Sequence, residues 1–383
     1  MTLNKKILTI LILLVIMRMA MSIALIYGFP EKGSYLGGYF YLNDEEEYFR
    51  LAFSLARFSP VDSYRTLGFP ILLLPFIWLS QANSFDQLLL PVAIFHACVL
   101  APASIILVAL IAKRLTKEWK IALLAASIWT IFPYLVYIFV HSNPSFCKDV
   151  PAMRMAHQMW LQALTDPPAT FFILLAIYTF LISLDKKNVI YPLLTGISFG
   201  WATLIRPGNV IMAVLFLSFY LYERKLKHLI LFVSSSFFIL LPQFIYNWLF
   251  YGSPLKFSSL FATDKIYAIE LGNLFGRTID MFSIRNFFFS LQQLILKLPS
   301  VILLCTLFIF FVIIYTIFRL YRVSPKAALV LILWVIPYLL VYGSYINFYD
   351  SVLHFSMPII PAILIVISIG TSRITSIIFK KKG

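Results

Sequence analysis

The sequence predicts an all-α, polytopic helical membrane protein, and two observations support this fold class. Of its 383 residues, 61% are apolar and only 12% are charged, whereas a soluble domain is about half apolar and a quarter charged. The apolar residues also form long unbroken runs, such as residues 7–16, instead of the alternation of an outer-membrane barrel strand. Lipid must therefore be the solvent for most of the chain, which excludes a cytosolic enzyme, a secreted disulfide scaffold and a disordered chain.

About ten apolar runs are long enough, or nearly so, to cross a bilayer, which takes ~20 residues in a helix. These predicted spans are 7–27, 88–112, 121–140, 167–184, 190–205, 208–222, 229–248, 299–318, 327–345 and 355–372. The run 68–79 is short and holds two prolines, so it is predicted to be a re-entrant or interfacial segment that other helices bury. We predict one transmembrane domain over 1–383, with outer loops at 28–87, 141–166 and 249–298.

The basic residues predict the orientation of the spans. With the N-terminus in the cytoplasm, the inner segments hold 18 Lys and Arg against three acids, and the outer segments hold 12 against 13. Since Lys and Arg in short loops stay in the cytoplasm, both termini are predicted to be cytoplasmic. The absence of a lumenal retention signal and of a disulfide framework favours the plasma membrane of a prokaryote. The net charge of +15 then reflects orientation and indicates no nucleic-acid partner.

The first outer loop contains an acidic segment with a helical period. From Glu46 onward its residues divide into an apolar face (Tyr48, Leu51, Ala52, Leu55) and a polar face (Glu46, Glu47, Arg50, Ser54, Arg57). This pattern predicts an amphipathic helix at the membrane interface, with Asn43 and Asp44 at its N-cap. Asp44 and Glu45 have two possible interpretations. They are helix-capping acids, or they are outer-surface carboxylates that take a proton from a hydroxyl as a general base.

Four further polar residues fall near the predicted outer ends of spans. Arg65 precedes the re-entrant run, and on its own it would be interpreted as a snorkelling side chain. Asp166 is either an N-cap before Pro167 or a site residue. Arg206 lies at a break between two short spans, where an ionisable group indicates function by default. His354 in the last outer loop is either an ordinary interfacial histidine or a donor to a phosphate.

Taken in order, these motifs resemble the GT-C superfamily of polyprenyl-phosphate-dependent membrane glycosyltransferases. The similarity is greatest to the protein O-mannosyltransferase and aminoarabinose-transferase branch. The matching elements are Asp44-Glu45 after span one, Arg65 with Gly68 and Pro70, Thr165-Asp166-Pro167, Gly196 and Gly200 before Arg206-Pro207, Pro242 with Asn247, Gly252 and Pro254, and His354 before Pro358 and Pro361. The resemblance covers roughly residues 40–365 and implies an all-α GT-C fold.

The resemblance implies transfer of a sugar from a polyprenyl-phosphate donor to a lipid, glycan or protein acceptor at the outer membrane face. An acceptor hydroxyl would lose its proton to a carboxylate and displace the phosphate from C1 with inversion. The implied catalytic residues are Asp44 as base, with Glu45 or Asp166 as orienting groups, and the implied phosphate ligands are Arg65, Arg206 and His354. No cofactor is required, although a divalent metal bridging Asp44 and Asp166 is compatible with this scheme. The dispersed cysteines and histidines predict no metal centre.

Two other functions compete with this interpretation. A lipid-linked oligosaccharide polymerase or ligase also has many spans, but it more typically carries its large loop and arginines later in the chain. A flippase or transporter, which is not an enzyme, often shows internal repeats and helices broken at the membrane midplane. The sequence shows no repeat, and its unusual polar groups gather at the predicted outer side.

Overall fold

The computed structural model describes residues 4–28, 43–63, 65–142, 165–255, 257–259, 267–269, 287–289, 291–292, 300–344 and 356–380. Within these ranges, six helices are long and apolar enough to cross a membrane, and several shorter apolar helices accompany them. The chain is an integral membrane protein with the predicted all-α fold.

The first half of the chain forms the amphipathic helix, the re-entrant helix and the early spans. Its helices are α1 (Lys5–Gly28), α2 (Asn43–Ala56), α3 (Gly68–Ser80), α4 (Asp86–Phe95), α5 (Ala101–Thr116), α6 (Trp119–Ser142), α7 (Asp166–Asp185) and α8 (Ile190–Ile205). A π-helical turn, His96–Leu100, joins α4 to α5, so these segments form one continuous span. The re-entrant run predicted at 68–79 is the helix α3.

The second half follows a break at Arg206. A 3₁₀ turn (Pro207–Met212) leads into α9 (Ala213–Tyr222), and the remaining helices are α10 (Leu226–Tyr251), α11 (Ser300–Val323), α12 (Pro325–Gly343) and α13 (Ile360–Lys380). Within the described residues, each of the ten predicted spans overlaps a helix. The described residues also include two short antiparallel strands, β1 (Phe257–Ser259) and β2 (Tyr267–Ile269).

Two glycines allow α8 to approach α10 closely. A Cβ on Gly196 would overlap the Ser235 hydroxyl and the Phe232 carbonyl, and a Cβ on Gly200 would lie 2.8 Å from Cβ of Ile239. Small residues four apart are a common device for close helix packing in lipid, where no hydrophobic force drives helices together. The Gly-x-x-x-Gly pattern thus brings α10 against α8, the helix that ends just before Arg206.

Ion pairs mark one end of the bundle. Arg114 contacts Asp185 at 2.8 Å, and Lys326 contacts Glu223 at 2.6 Å. All four residues belong to segments that the charge pattern assigns to the same membrane face. We call this end the inner end, and we call the opposite end, where α7 begins and α8 ends, the outer end.

Candidate active site

Five elements meet at the outer end. One apolar cluster joins Tyr48 of α2 to Phe69 of α3, Ala169 of α7 and Ile205 of α8, and α4 contributes to it as well. The Tyr48 and Phe69 rings pack edge to face with their centres 5.4 Å apart. The apolar face predicted for the amphipathic helix is therefore buried against protein, because Tyr48 and its neighbours cover α3. This packing brings the acidic helix to the starts and ends of the helices that carry Asp166 and Arg206.

Arg65 lies inside this junction. Its side chain is 4% exposed, and its guanidinium carbon lies 5.0 Å from the centre of the Tyr48 ring. Such cation–π contacts become stronger when the cation is removed from water. A snorkelling arginine would extend its head away from the protein, so the buried position of Arg65 favours the interpretation of Arg65 as a site residue.

The segment containing Arg65 is fastened to the end of α8. The Thr66 hydroxyl donates a buried hydrogen bond of 3.0 Å to the Ile205 carbonyl. Gly68 lies so close to α8 that a Cβ there would be 2.5 Å from the carbonyl carbon of Leu204 and closer still to the Ile205 amide nitrogen. Since Thr66 follows Arg65 and Ile205 precedes Arg206, the structure brings these two arginine positions next to each other.

Asp166 and Arg206 form a buried ion pair. Their side chains are only 3% and 11% exposed, and Arg206 Nη1 contacts Asp166 Oδ1. Asp166 is the first residue of α7, and Thr165 before it makes no side-chain capping bond. Arg206 has extended backbone, with φ −142° and ψ 102°, between α8 and the 3₁₀ turn. The carboxylate is therefore committed to the arginine, which favours the site interpretation of Asp166 over a cap.

The break at Arg206 has its own supports. Asn209, fully buried, donates from its amide to the Ala202 carbonyl at 3.0 Å, the same carbonyl that accepts the backbone N–H of Arg206. Tyr338 of α12 donates to Asn209 at 3.4 Å. The predicted break is confirmed, but Tyr338, which supports it from α12, has no signal in the sequence around the break.

Asp44 and Glu45 lie in the first turn of α2, with their side chains outside the described part of the structure. Asp44 occupies the position one helical turn before Tyr48, and i and i+4 positions share a face of a helix. The backbone of the acid pair is thus placed at the edge of the junction that holds Arg65.

Glu47 of α2 forms an ion pair with Arg50. The i, i+4 spacing in the sequence predicts that Arg50 pairs with Glu46, but Arg50 binds Glu47 through both oxygens at 2.5 and 2.8 Å. Arg50 also donates to the Asp62 carbonyl at 2.8 Å, which draws it to the Glu47 side of the helix. Burial raises the pKa of Glu47, but hydrogen bonds from Arg50 and Ser63 and the charges of Arg50 and Arg65 outweigh it, so the net pKa falls below 4.5.

Two other residues are not part of the contacts described above. His354 lies outside the described residues, so its predicted role stays a prediction. Arg18, in α1, is buried and donates at 2.9 Å to the Thr130 carbonyl of α6. An arginine within a predicted span predicts an acidic partner from the outer loop; the contacts described for Arg18 also include the Tyr134 ring at 5.1 Å. Among the residues that the structure describes, no group of three His, Cys, Asp or Glu is placed to hold a metal.

Sequence reasoning missed a set of polar residues on α10. Gln243, Tyr246 and Asn247 are buried at the outer end and all hydrogen bond to outer loops or to one another. Their i, i+3, i+4 spacing places them on one helix face. Polar residues at that spacing inside a predicted span were the available signal, although only Asn247 was included in a motif.

Comparisons with known proteins give the fold a precedent. No protein-family profile and no curated protein matches the sequence. Three solved structures of the oligosaccharyltransferase of the archaeon Archaeoglobus fulgidus resemble this chain. The structure tethered to an acceptor peptide has a TM-score of 0.60 at 16% identity, over 99% of this chain and 50% of that one. The complex of that enzyme, AglB, with an inhibitory peptide and a dolichol-phosphate has a TM-score of 0.59 at 15% identity, over 98% and 51%.

The chain adopts the GT-C fold. The apo form of the same archaeal enzyme gives a TM-score of 0.57 at 14% identity, over 98% of this chain and 51% of that one. This chain thus spans about half the length of the solved structures that it matches. The fold-level part of the expected resemblance is confirmed, and the likeness does not favour the O-mannosyltransferase and aminoarabinose-transferase branch over other GT-C proteins.

Proposed function

We propose that the chain is a membrane glycosyltransferase that takes a sugar from a polyprenyl-phosphate donor at the outer end of the bundle. The observation that carries the proposal is the buried ion pair of Asp166 and Arg206 at the end of α8, to which the segment of the buried Arg65 is tied by the Thr66–Ile205 hydrogen bond. Burying charge in a membrane protein is costly, and ionisable groups there commonly serve substrates or ions. Two arginines next to each other offer an anion-binding arrangement that suits a lipid-borne phosphate.

Asp166 acts in this proposal by positioning Arg206. A guanidinium carries five N–H donors, more than one carboxylate accepts, so an arginine paired with Asp166 can also bind an anion. The pairing fixes the planar fork in one orientation and offsets part of its desolvation. The pair would then present a fixed donor array to the negative charge that develops on the departing phosphate.

The base would come from α2. Asp44 at the start of that helix would take the proton of the acceptor hydroxyl as its oxygen attacks C1 of the sugar. The C1–phosphate bond breaks with inversion, and the bond electrons leave with the polyprenyl phosphate, where Arg65 and Arg206 hold the charge. His354 is a further proposed phosphate ligand, and Glu45 a proposed orienting group. The reaction needs no cofactor, because phosphate is already a good leaving group.

The structural neighbours support the chemical class of the partners. The archaeal enzyme has been solved with an acceptor peptide and, separately, with a dolichol-phosphate. We propose a polyprenyl-phosphate donor for this chain and a lipid, glycan or protein acceptor. The motif order favours the O-mannosyltransferase and aminoarabinose-transferase branch within the superfamily. We also propose that both termini are cytoplasmic, as the charge pattern predicts, and that the membrane is a prokaryotic plasma membrane.

The proposal is tested with purified protein in liposomes and radiolabelled undecaprenyl-phosphate mannose, glucose and aminoarabinose. Lipid, glycan and protein acceptors are added to the assay, and we expect the label of one donor to be transferred to one of them. Asp44→Asn should reduce the transfer rate at least ~100-fold, the scale of a lost general base. Glu118→Gln, which changes a carboxylate at the inner end, is the matched control and should transfer at the wild-type rate.

Three outcomes would contradict the proposal. Label that crosses the bilayer on its lipid without transfer would favour a flippase. Transfer only from a diphosphate-linked oligosaccharide, in lengthening chains, would favour a polymerase or ligase. An Asp44→Asn variant that folds normally and retains full transfer would remove the assigned base.

A further inference from the structure

The loop that carries Arg65 is held by α10 as well as by α8. The Leu67 amide, two residues after Arg65, donates a buried hydrogen bond of 2.8 Å to Oε1 of Gln243. The Tyr246 hydroxyl, one turn further along α10, donates to the Val61 carbonyl at 2.8 Å. Together with the Thr66 bond to Ile205, these contacts fix consecutive residues of the loop to two different helices.

Gln243 is the first member of a buried amide relay. Its Nε2 donates to Oδ1 of Asn247 at 2.8 Å, and Nδ2 of Asn247 donates to the Pro254 carbonyl at 3.1 Å. Gln243 and Asn247 are 4% and 1% exposed. The relay runs from a backbone amide of the first outer loop to a backbone carbonyl just beyond α10.

The two ends determine the direction of every bond in the relay. The Pro254 carbonyl can only accept, so Asn247 must turn its amino group toward it and its oxygen toward Gln243. Gln243 must then donate to Asn247, which leaves its oxygen facing the Leu67 N–H, a group that can only donate. Asn247 therefore selects the orientation of the Gln243 amide that Leu67 requires. A buried network in which every member is satisfied is rigid, and it loses that property when one link is removed.

We infer that Gln243 is a positioning residue for donor binding, that it acts through Arg65, and that Asn247 sets its orientation. The inference rests on the proposed function, in which Arg65 and Arg206 hold the donor phosphate. The distance between two phosphate ligands must be fixed for both to bind one anion. The Thr66 bond ties the Arg65 loop to α8 next to Arg206, and the Leu67 bond prevents that loop from rotating about this tie.

The probe for this inference is undecaprenyl phosphate, compared with undecaprenol, which has the same tail and lacks the phosphate. The ratio of their affinities for the detergent-solubilised full chain isolates the phosphate contribution. We expect Gln243→Met, which keeps the volume and removes both hydrogen bonds, to reduce this ratio about tenfold, within the ~100-fold range of misplaced binding groups. Asn247→Leu should reduce the affinity ratio by a smaller factor. The Gln243 oxygen is still present as an acceptor for the Leu67 N–H, but Asn247 no longer fixes the orientation of the Gln243 amide.

A double-mutant cycle separates positioning from a general structural effect. Arg65→Met should remove most of the phosphate contribution, and Gln243→Met in that background should remove little more, because both changes act on one contact. Ser236→Ala is the matched control, since it also removes a buried bond from α10, at 3.1 Å to the Gly196 carbonyl of α8. The control should leave the affinity ratio unchanged. If Gln243→Met does not fold, the same cycle is run with Asn247→Leu.

The outcomes distinguish this inference from the proposed function. If the wild type binds both lipids equally, or if Arg65→Met leaves the ratio unchanged, the phosphate role of Arg65 is wrong and the inference is overturned with it. If Arg65→Met reduces the ratio while Gln243→Met and Asn247→Leu do not, or reduce it additively with Arg65→Met, the inference alone is wrong. Equal loss of affinity for both lipids in Gln243→Met would also overturn it.

Discussion

The two ends of the bundle use charged residues in opposite ways. At the inner end, ion pairs link the ends of helices, and at least one partner of each is well exposed, with Asp185 at 61% and Lys326 at 66% of their side-chain surface. At the outer end, Asp166 and Arg206 pair at 3% and 11% exposure, at a helix break. The same chemical pairing is thus a surface feature at one end and a buried one at the other.

The difference supports the proposal that the outer end holds the anion site. Exposed ion pairs contribute at most about 1 kcal/mol, because water and salt screen them. A buried pair costs several kcal/mol of desolvation per ion before any attraction is gained, so it is a poor way to stabilise a fold. The ion pairs of the inner end therefore contribute only to the packing of helix ends. The outer end retains a costly arrangement that has a use if an anion binds there.

The largest expected effect comes from removing one member of the buried pair. Arg206→Met should lower the free energy of unfolding by about 3–5 kcal/mol, since it leaves Asp166 buried without its partner. It should also abolish undecaprenyl phosphate binding. Arg114→Met at the inner end is the control and should cost less than about 1 kcal/mol with transfer intact. Denaturation in detergent measures both, and equal costs at the two ends would contradict the comparison.

The next effect concerns the close contact of α3 with α8. Gly68→Ala should destabilise the protein by about 1–3 kcal/mol and reduce transfer, because its Cβ would meet backbone atoms that cannot rotate away. Gly370→Ala is the control, since its Cβ would meet the Thr316 hydroxyl at 2.5 Å, a side chain that can turn. Thermal unfolding and transfer assays check the pair. A Gly68→Ala variant with wild-type stability and activity would show that the re-entrant helix does not need this contact.

The smallest expected effect is the pH dependence of α2. Because the pKa of Glu47 is lowered in the folded protein, its stabilisation is present at pH values above the ordinary pKa of a glutamate and is lost as the pH falls through the lowered pKa of the folded state. The partly exposed Glu47–Arg50 pair contributes at most about 1 kcal/mol. The protection factors of the α2 amides, which correct the exchange rate for its intrinsic dependence on pH, should therefore fall in acid in the wild type and change less in Glu47→Gln. Identical acid profiles for the two proteins would contradict this assignment.

The sequence predicted the helices well because lipid imposes a simple rule. A span must be a long apolar helix, so runs such as 190–205 could be located from composition, and that one matches α8. Shorter-range details were less predictable. The π-helical turn at His96–Leu100 lies inside an apolar run that looks uniform, and the two strands in 249–298 depend on pairing between residues about ten apart.

The sequence also identified most charged residues of the outer end, because charge inside an apolar chain is rare and each instance stands out. It could not establish which of them pair. Glu47 instead of Glu46 binds Arg50 because the Asp62 carbonyl lies on that side, and Asp166 turns from a potential cap into the partner of Arg206 because α7 and α8 adjoin. Such choices depend on distances between residues far apart in the chain.

By itself, the sequence determined that this chain is embedded in lipid and where its helices lie. It also predicted at which ends of the helices the basic residues are concentrated. These properties follow from local apolar length and from charge, which require no knowledge of neighbours. Only the tertiary structure decided that Leu67 meets Gln243, 176 positions later, and that Arg65 is buried beside the end of α8. Hydrogen bonds and ion pairs act over about 3 Å, so their partners are set by how helices pack.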